Sequence, residues 1–222
     1  MKNQTNYRFP RLLCMTLLVA LVTFWQGSPA SADSSSVVGT AAKGVSAVEY
    51  IGVIQQNGPS FSTLGYLTYV NGLSPADLYT DPNAPGASTA RFTFSGSASL
   101  ESRANVGTVT QLSAVGPVAI YFNEYGGASF DNPSSFASGT EIATFDTRIS
   151  NILVVIAPDQ GVSSAISDAT QQTAHRFMLD GKWLQFGHPQ LMQHVTFFGG
   201  ATRSQAEPPV STTQFAAYGV TQ

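Results

Sequence analysis

Cysteine is almost missing from this sequence: Cys14 is the only one in 222 residues. It falls in an apolar stretch near the N-terminus, preceded by Leu13 rather than by the small residue of a lipoprotein cleavage site. The chain beyond that stretch has no thiol, which excludes disulfides, thiolate metal sites and a cysteine nucleophile. Charge is scarce as well. Asp, Glu, Lys and Arg make up 10% of the chain, against roughly 25% in ordinary globular domains. Ser, Thr, Asn, Gln and Gly must carry solubility instead, a composition suited to sheets that are wet on one face. Past the N-terminal stretch no apolar run approaches the about 20 residues that a membrane-crossing helix needs.

What stands at the N-terminus is ordered: Lys2, Arg8 and Arg11, then the uncharged residues 12–25, then small residues ending in Ala30-Ser31-Ala32. That is the layout of a cleavable secretory signal peptide. Residues 1–32 are expected to be removed, leaving a mature chain from about Asp33 that is secreted or periplasmic. With no disulfide framework, export from a bacterial cell is the natural reading. Three of the ten basic residues lie in this leader, so the rest of the chain sets seven Lys and Arg against thirteen Asp and Glu, a net charge near −6. Such a balance argues against nucleic acid or an anionic membrane as partner, both of which draw on clustered cations. No membrane insertion is expected after cleavage.

Residues 33–46 (DSSSVVGTAAKGVS) are small and polar without a period, and read as a flexible leader. Residues 47–222 read as one domain. The clearest fold pattern lies at 90–101, where Ala90, Phe92, Phe94, Gly96, Ala98 and Leu100 alternate with Arg91, Thr93, Ser95, Ser97, Ser99 and Glu101. Period two over a full strand length marks one buried and one wet face, and Gly96 and Ala98 on the buried side mark a crowded place or a bend. Further strands are expected at 48–56, 61–70, 104–114, 117–125, 140–156, 175–179, 182–186, 193–198 and 212–220. Asn57-Gly58 and Asp180-Gly181 are dipeptides favoured in type I′ hairpins, whose central residues need positive φ.

Two helical pieces are expected. Ser74 followed by Pro75 is an N-cap with proline at the first helical position, enough for a single turn. Val162, Ala165, Ile166, Ala169, Thr173 and Phe177 fall near one helical face, so 163–174 reads as an amphipathic helix, with a loop or strand as the alternative. The predicted fold is all-β, an antiparallel barrel of about eight to ten strands, with a two-layer sandwich as the alternative. The loops at 80–88 and 126–139 are long enough to run over an opening.

Familiar catalytic patterns are missing: no G-x-S-x-G, no phosphate-cradling glycine loop ending in Lys, no H-E-x-x-H. His175, His188 and His194 have no matching carboxylate spacing, so no metal site is read, and no cofactor is called for. Carboxylates in phase with apolar residues are the more informative feature, because a charge on a core face is costly unless paired or solvated. Glu124 follows Val118, Ile120 and Phe122, and Glu49 is in phase with Ile51 and Val53. At a barrel mouth such acids can be half buried and tuned for proton transfer, with Tyr66 and Tyr121 as hydrogen-bonding neighbours; the alternative is that a strand simply ends at each of them and the charge meets water. Glu49, Tyr66, Tyr121 and Glu124 are thus the candidate ligand-binding residues. The expected function is binding of a small, largely apolar molecule inside the barrel. The alternatives are an isomerase or cyclase using a mouth carboxylate as acid or base, and a surface interaction module with a filled core.

Overall fold

The structure is a computed structural model that describes residues 35–222; the segment read as a signal peptide, 1–32, lies outside the described residues. In chain order the strands are β1 (Ser36–Val38), β2 (Ser46–Asn57), β3 (Ser60–Val70), β4 (Phe92–Val106), β5 (Val109–Phe122), β6 (Thr140–Ala157), β7 (Gln160–Ala174), β8 (Arg176–Leu179), β9 (Lys182–Phe186), β10 (Met192–Gln205) and β11 (Val210–Thr221). Eight of them close into an antiparallel barrel in the order β10-β11-β2-β3-β4-β5-β6-β7. The barrel, rather than the sandwich, is the architecture.

Tight hairpins join β2 to β3, β4 to β5, β6 to β7 and β10 to β11, and all four lie at one end of the barrel. The long connections lie at the other. There β8 and β9 pair as a hairpin, and β1 adds to β9 in parallel, making a three-stranded sheet. Asp180 and Gly181 both have positive φ, 46° and 78°, as a type I′ turn demands. The hairpin at Asn57-Gly58 also forms, with Gly58 at φ 59° and Asn57 paired to Ser60. Its two-residue loop is therefore Gly58-Pro59.

The small sheet plugs the barrel. Phe177, Leu179, Leu184 and Phe186 are buried with Phe92 and Phe122 in one core cluster, and the Phe122 and Phe177 rings lie 4.9 Å apart. Gln171, wholly buried at the end of β7, ties wall to plug: its Nε2 donates to the carbonyls of Phe186 and Thr173, each at 2.8 Å. Gln171→Leu removes that donor from the buried Phe186 carbonyl and the half-buried Thr173 carbonyl. The expected loss is about 2–4 kcal/mol of unfolding free energy, read by denaturant titration.

Several expectations change here. The segment 33–46 is not a free tail over its described part, because Ser36–Val38 pair with Leu184–Phe186 and Gly39 N donates to Asn71 O. The stretch 163–174 is no helix but most of strand β7. Its inward residues, Gly161, Ser163, Ala165, Ser167 and Ala169, are all small, so no strong hydrophobic alternation betrays the strand, while Val162 and Ile166 point outward at a helix-like spacing. The strand expected at 90–101 runs on as β4 to Val106, and the one expected at 104–114 is no single strand but the end of β4, the Gly107-Thr108 turn and the start of β5; a register shift at Leu100/Ser102 interrupts the period in β4. The single helical turn holds: Pro75–Leu78 forms α1, and both the backbone N–H and the hydroxyl of Ser74 donate to the Asp77 carboxylate.

Candidate functional site

Closing eight strands leaves an interior that side chains can just fill, so what stands on the inner face decides whether it is solid. Toward the plug it is solid, packed with phenylalanines. Toward the hairpins the inner positions of β7 are Gly, Ser and Ala, and Gly199 and Ala201 of β10 and Ala114 of β5 are equally small. The space they do not occupy is a cavity of about 210 Å³ that reaches from Tyr50 to the hairpin end, where Asp159 and Pro209 border it. A void of roughly 10–15 Å³ on this scale admits one water, so the cavity accepts a molecule of on the order of fourteen to twenty heavy atoms.

Aromatic rings form the deep half of its lining. Phe94 lies against a cross-strand glycine pair, Gly52 and Gly65. A Cβ on either would come within 2.8 or 2.7 Å of the Phe94 ring edge, so the pair lets the ring lie close to the wall. Tyr50 and Phe215 meet Phe94 at centroid distances of 5.6 and 6.3 Å, and Phe197 packs edge-on against Phe215 at 5.3 Å. The Tyr50 hydroxyl donates a long bond, 3.4 Å, to Oε1 of buried Gln193, whose Nε2 donates to Gly39 O. Burial pushes the Tyr50 phenol above its ordinary range, so it stays a neutral donor at the cavity floor.

The upper half is mixed. Ser163 donates to Asn151 across β6 and β7, and Thr110 donates to Asn105 at 2.8 Å. At the rim, Arg203 pairs with Asp159 through Nη2 and Nε at 3.0 and 3.1 Å. Arg103 also borders the cavity, and its one side-chain hydrogen bond among the described residues is a 3.5 Å contact with Asn105. Asp159 is the one carboxylate on the lining among the described residues.

None of the four residues singled out from the sequence lines this cavity. Glu49 does share a face with Ile51 and Val53, but that face is the outer one, and Val48, Tyr50 and Gly52 turn inward. Glu124 is exposed in the turn after β5, which ends at Phe122. Tyr66 faces outward and packs on Tyr79 at 6.5 Å, and Tyr121 stands beside Glu141 on the outside of β5. Burial raises the phenols of both, with the Glu141 charge adding to the effect at Tyr121. Among the described residues neither glutamate hydrogen-bonds to either tyrosine.

The long loops are also placed differently from the expectation. They do lie together, Gly127 N donating to Ser88 O at 2.8 Å, but at the end opposite the cavity mouth. They fold back on the outer wall, where buried Phe136 packs with Leu64 and the Thr93 hydroxyl donates to Phe136 O at 2.7 Å. The histidines are dispersed: His194 pairs with Asp168 at 2.8 Å on the outer face. Among the described residues no cluster of three His, Cys, Asp or Glu is arranged to hold a metal. Sequence reasoning missed Tyr50, Arg103, Asp159, Gln193 and Arg203. The run of small residues at alternate positions from Gly161 to Ala169 was the available clue.

Compared with protein-family models, with curated proteins and with solved structures, the chain finds no match.

Proposed function

We propose that this is an exported barrel protein that binds a small, largely apolar molecule in its interior. The observation that supports this most is the cavity of about 210 Å³, floored by aromatic rings and open at the hairpin end. Largely apolar lining with a few placed polar groups is the usual make-up of a small-molecule site. The phenylalanine plug closes the far end, so a guest enters and leaves between the hairpins.

A barrel enzyme using Glu49 or Glu124 has less in its favour, since a proton-transferring group must come within hydrogen-bond reach of its substrate and both acids are outside. The interaction-module reading gains from an outer wall where Ile152, Ile166, Phe198 and Tyr218 are exposed on neighbouring strands. It also calls for a filled interior, and there the cavity counts against it.

The test is a fluorescence titration of the purified protein with the neutral apolar dye N-phenyl-1-naphthylamine, checked by native mass spectrometry. A saturable rise in emission with one dye per chain is expected. Emission that climbs without saturation, with no complex in the mass spectrum, would overturn the reading.

A further inference from the structure

The rim of the cavity has a charge arrangement that an apolar guest alone does not explain. Around the eight-strand circuit β4 and β10 are four strands apart in either direction, so Arg103 on β4 and Arg203 on β10 come from opposite walls. Both border the cavity, facing a single acid, Asp159. Arg203 is matched by that acid through two nitrogens. Among the described residues no carboxylate lies within ion-pair distance of Arg103. The lining thus ends in one uncompensated positive charge, in a chain whose balance outside the leader is acidic.

From this we infer that the ligand is an amphiphile with one anionic headgroup, held at the mouth by Arg103 while its apolar tail lies against Phe94 and Phe215. This rests on the interior-binding reading above and names the class of molecule bound there. A guanidinium presents a fork of N–H donors matched to a carboxylate, and Arg103 has donors to spare, its Nε contact with Asn105 being at the limit of a hydrogen bond. Thr110, bonded to the same Asn105 oxygen, adds a hydroxyl beside it on the neighbouring strand. Deeper in, the lining supplies mostly rings and aliphatic groups, with neutral polar groups at Tyr50, Ser167 and Gln193 and no charge. Charge is therefore confined to one end of the cavity, the rim, and the floor is uncharged, which sets the orientation of the guest.

The experiment is displacement of bound N-phenyl-1-naphthylamine at neutral pH by three molecules of equal chain length: decanoate, 1-decanol and decylammonium. For the unmodified protein, decanoate should compete about tenfold better than 1-decanol, with decylammonium the weakest, and added salt should shrink the advantage of decanoate alone. Arg103→Gln should erase the preference, bringing the affinity for decanoate down to that for 1-decanol. Arg103→Lys, which keeps the charge without the fork, should retain part of it. Equal affinities for decanoate and 1-decanol, a preference for decylammonium, or a preference that survives Arg103→Gln would each overturn the headgroup assignment while interior binding stood. Failure of the dye itself to bind would instead overturn both readings.

Discussion

Phe92→Ala lowers the free energy of unfolding by about 3–5 kcal/mol, measured as a shift in the denaturant midpoint at unchanged slope. The ring is fully buried where barrel wall meets plug, with its centroid 5.2 Å from that of Phe122 and 5.6 Å from that of Phe177. Alanine forfeits the transfer free energy of the ring and leaves a hole that the fixed sheet geometry cannot collapse to fill. Against a typical domain stability of about 5–15 kcal/mol this is a large fraction. Phe92→Leu retains most of the volume and should cost under about 1.5 kcal/mol. A loss below about 1 kcal/mol for the alanine variant would show that the plug is not cemented to the wall as described.

Ala165→Trp abolishes interior binding, weakening dye affinity by at least about a hundredfold, while changing stability by no more than about 1–3 kcal/mol. Ala165 lies on β7 between Asn151 of β6 and Phe197 of β10, and its methyl points into the void. An indole there occupies space that is vacant, so the effect falls on the guest far more than on the fold. Ala114→Phe does the same from the inner face of β5, two strands round, and separates blockage from any local misfolding at Ala165. Full affinity in both folded variants would place the bound dye outside the cavity.

These outcomes depend on features of unequal visibility in the sequence. The alternation from Ala90 to Leu100 identified a half-buried strand because its inward side chains are large enough to stand out, and Phe92 and Phe94 are indeed buried. Asp180-Gly181 was legible because positive φ at both positions admits few residue types. The Ser74-Pro75 start was legible for the same kind of local reason. Strand β7 was not, since a wall that borders empty space carries small residues, and small residues leave little periodicity to read.

The site was the least legible part. Period two tells which residues share a face and is silent on which face turns inward. Glu49 therefore shares its face with Ile51 and Val53 as expected, yet the whole set looks outward, with a register shift between Glu49 and Tyr50. Glu124 failed for a different reason: β5 stops at Phe122, so the phase that linked it to Ile120 has no meaning beyond that residue. Arg103 and Arg203 sit 100 positions apart in the chain and meet at one rim only because the sheet closes.

That closure also constrains the order in which the molecule can be made. The seam pairs β2, the first barrel strand, with β11, the last, so a growing chain lacks its final ladder partner until residues 210–221 arrive. Every earlier stage exposes two unpaired backbone edges, on β2 and on the most recent strand delivered. Such edges attract other chains, so a copy stalled before its last dozen residues would be a seed for aggregation and a substrate for chaperones.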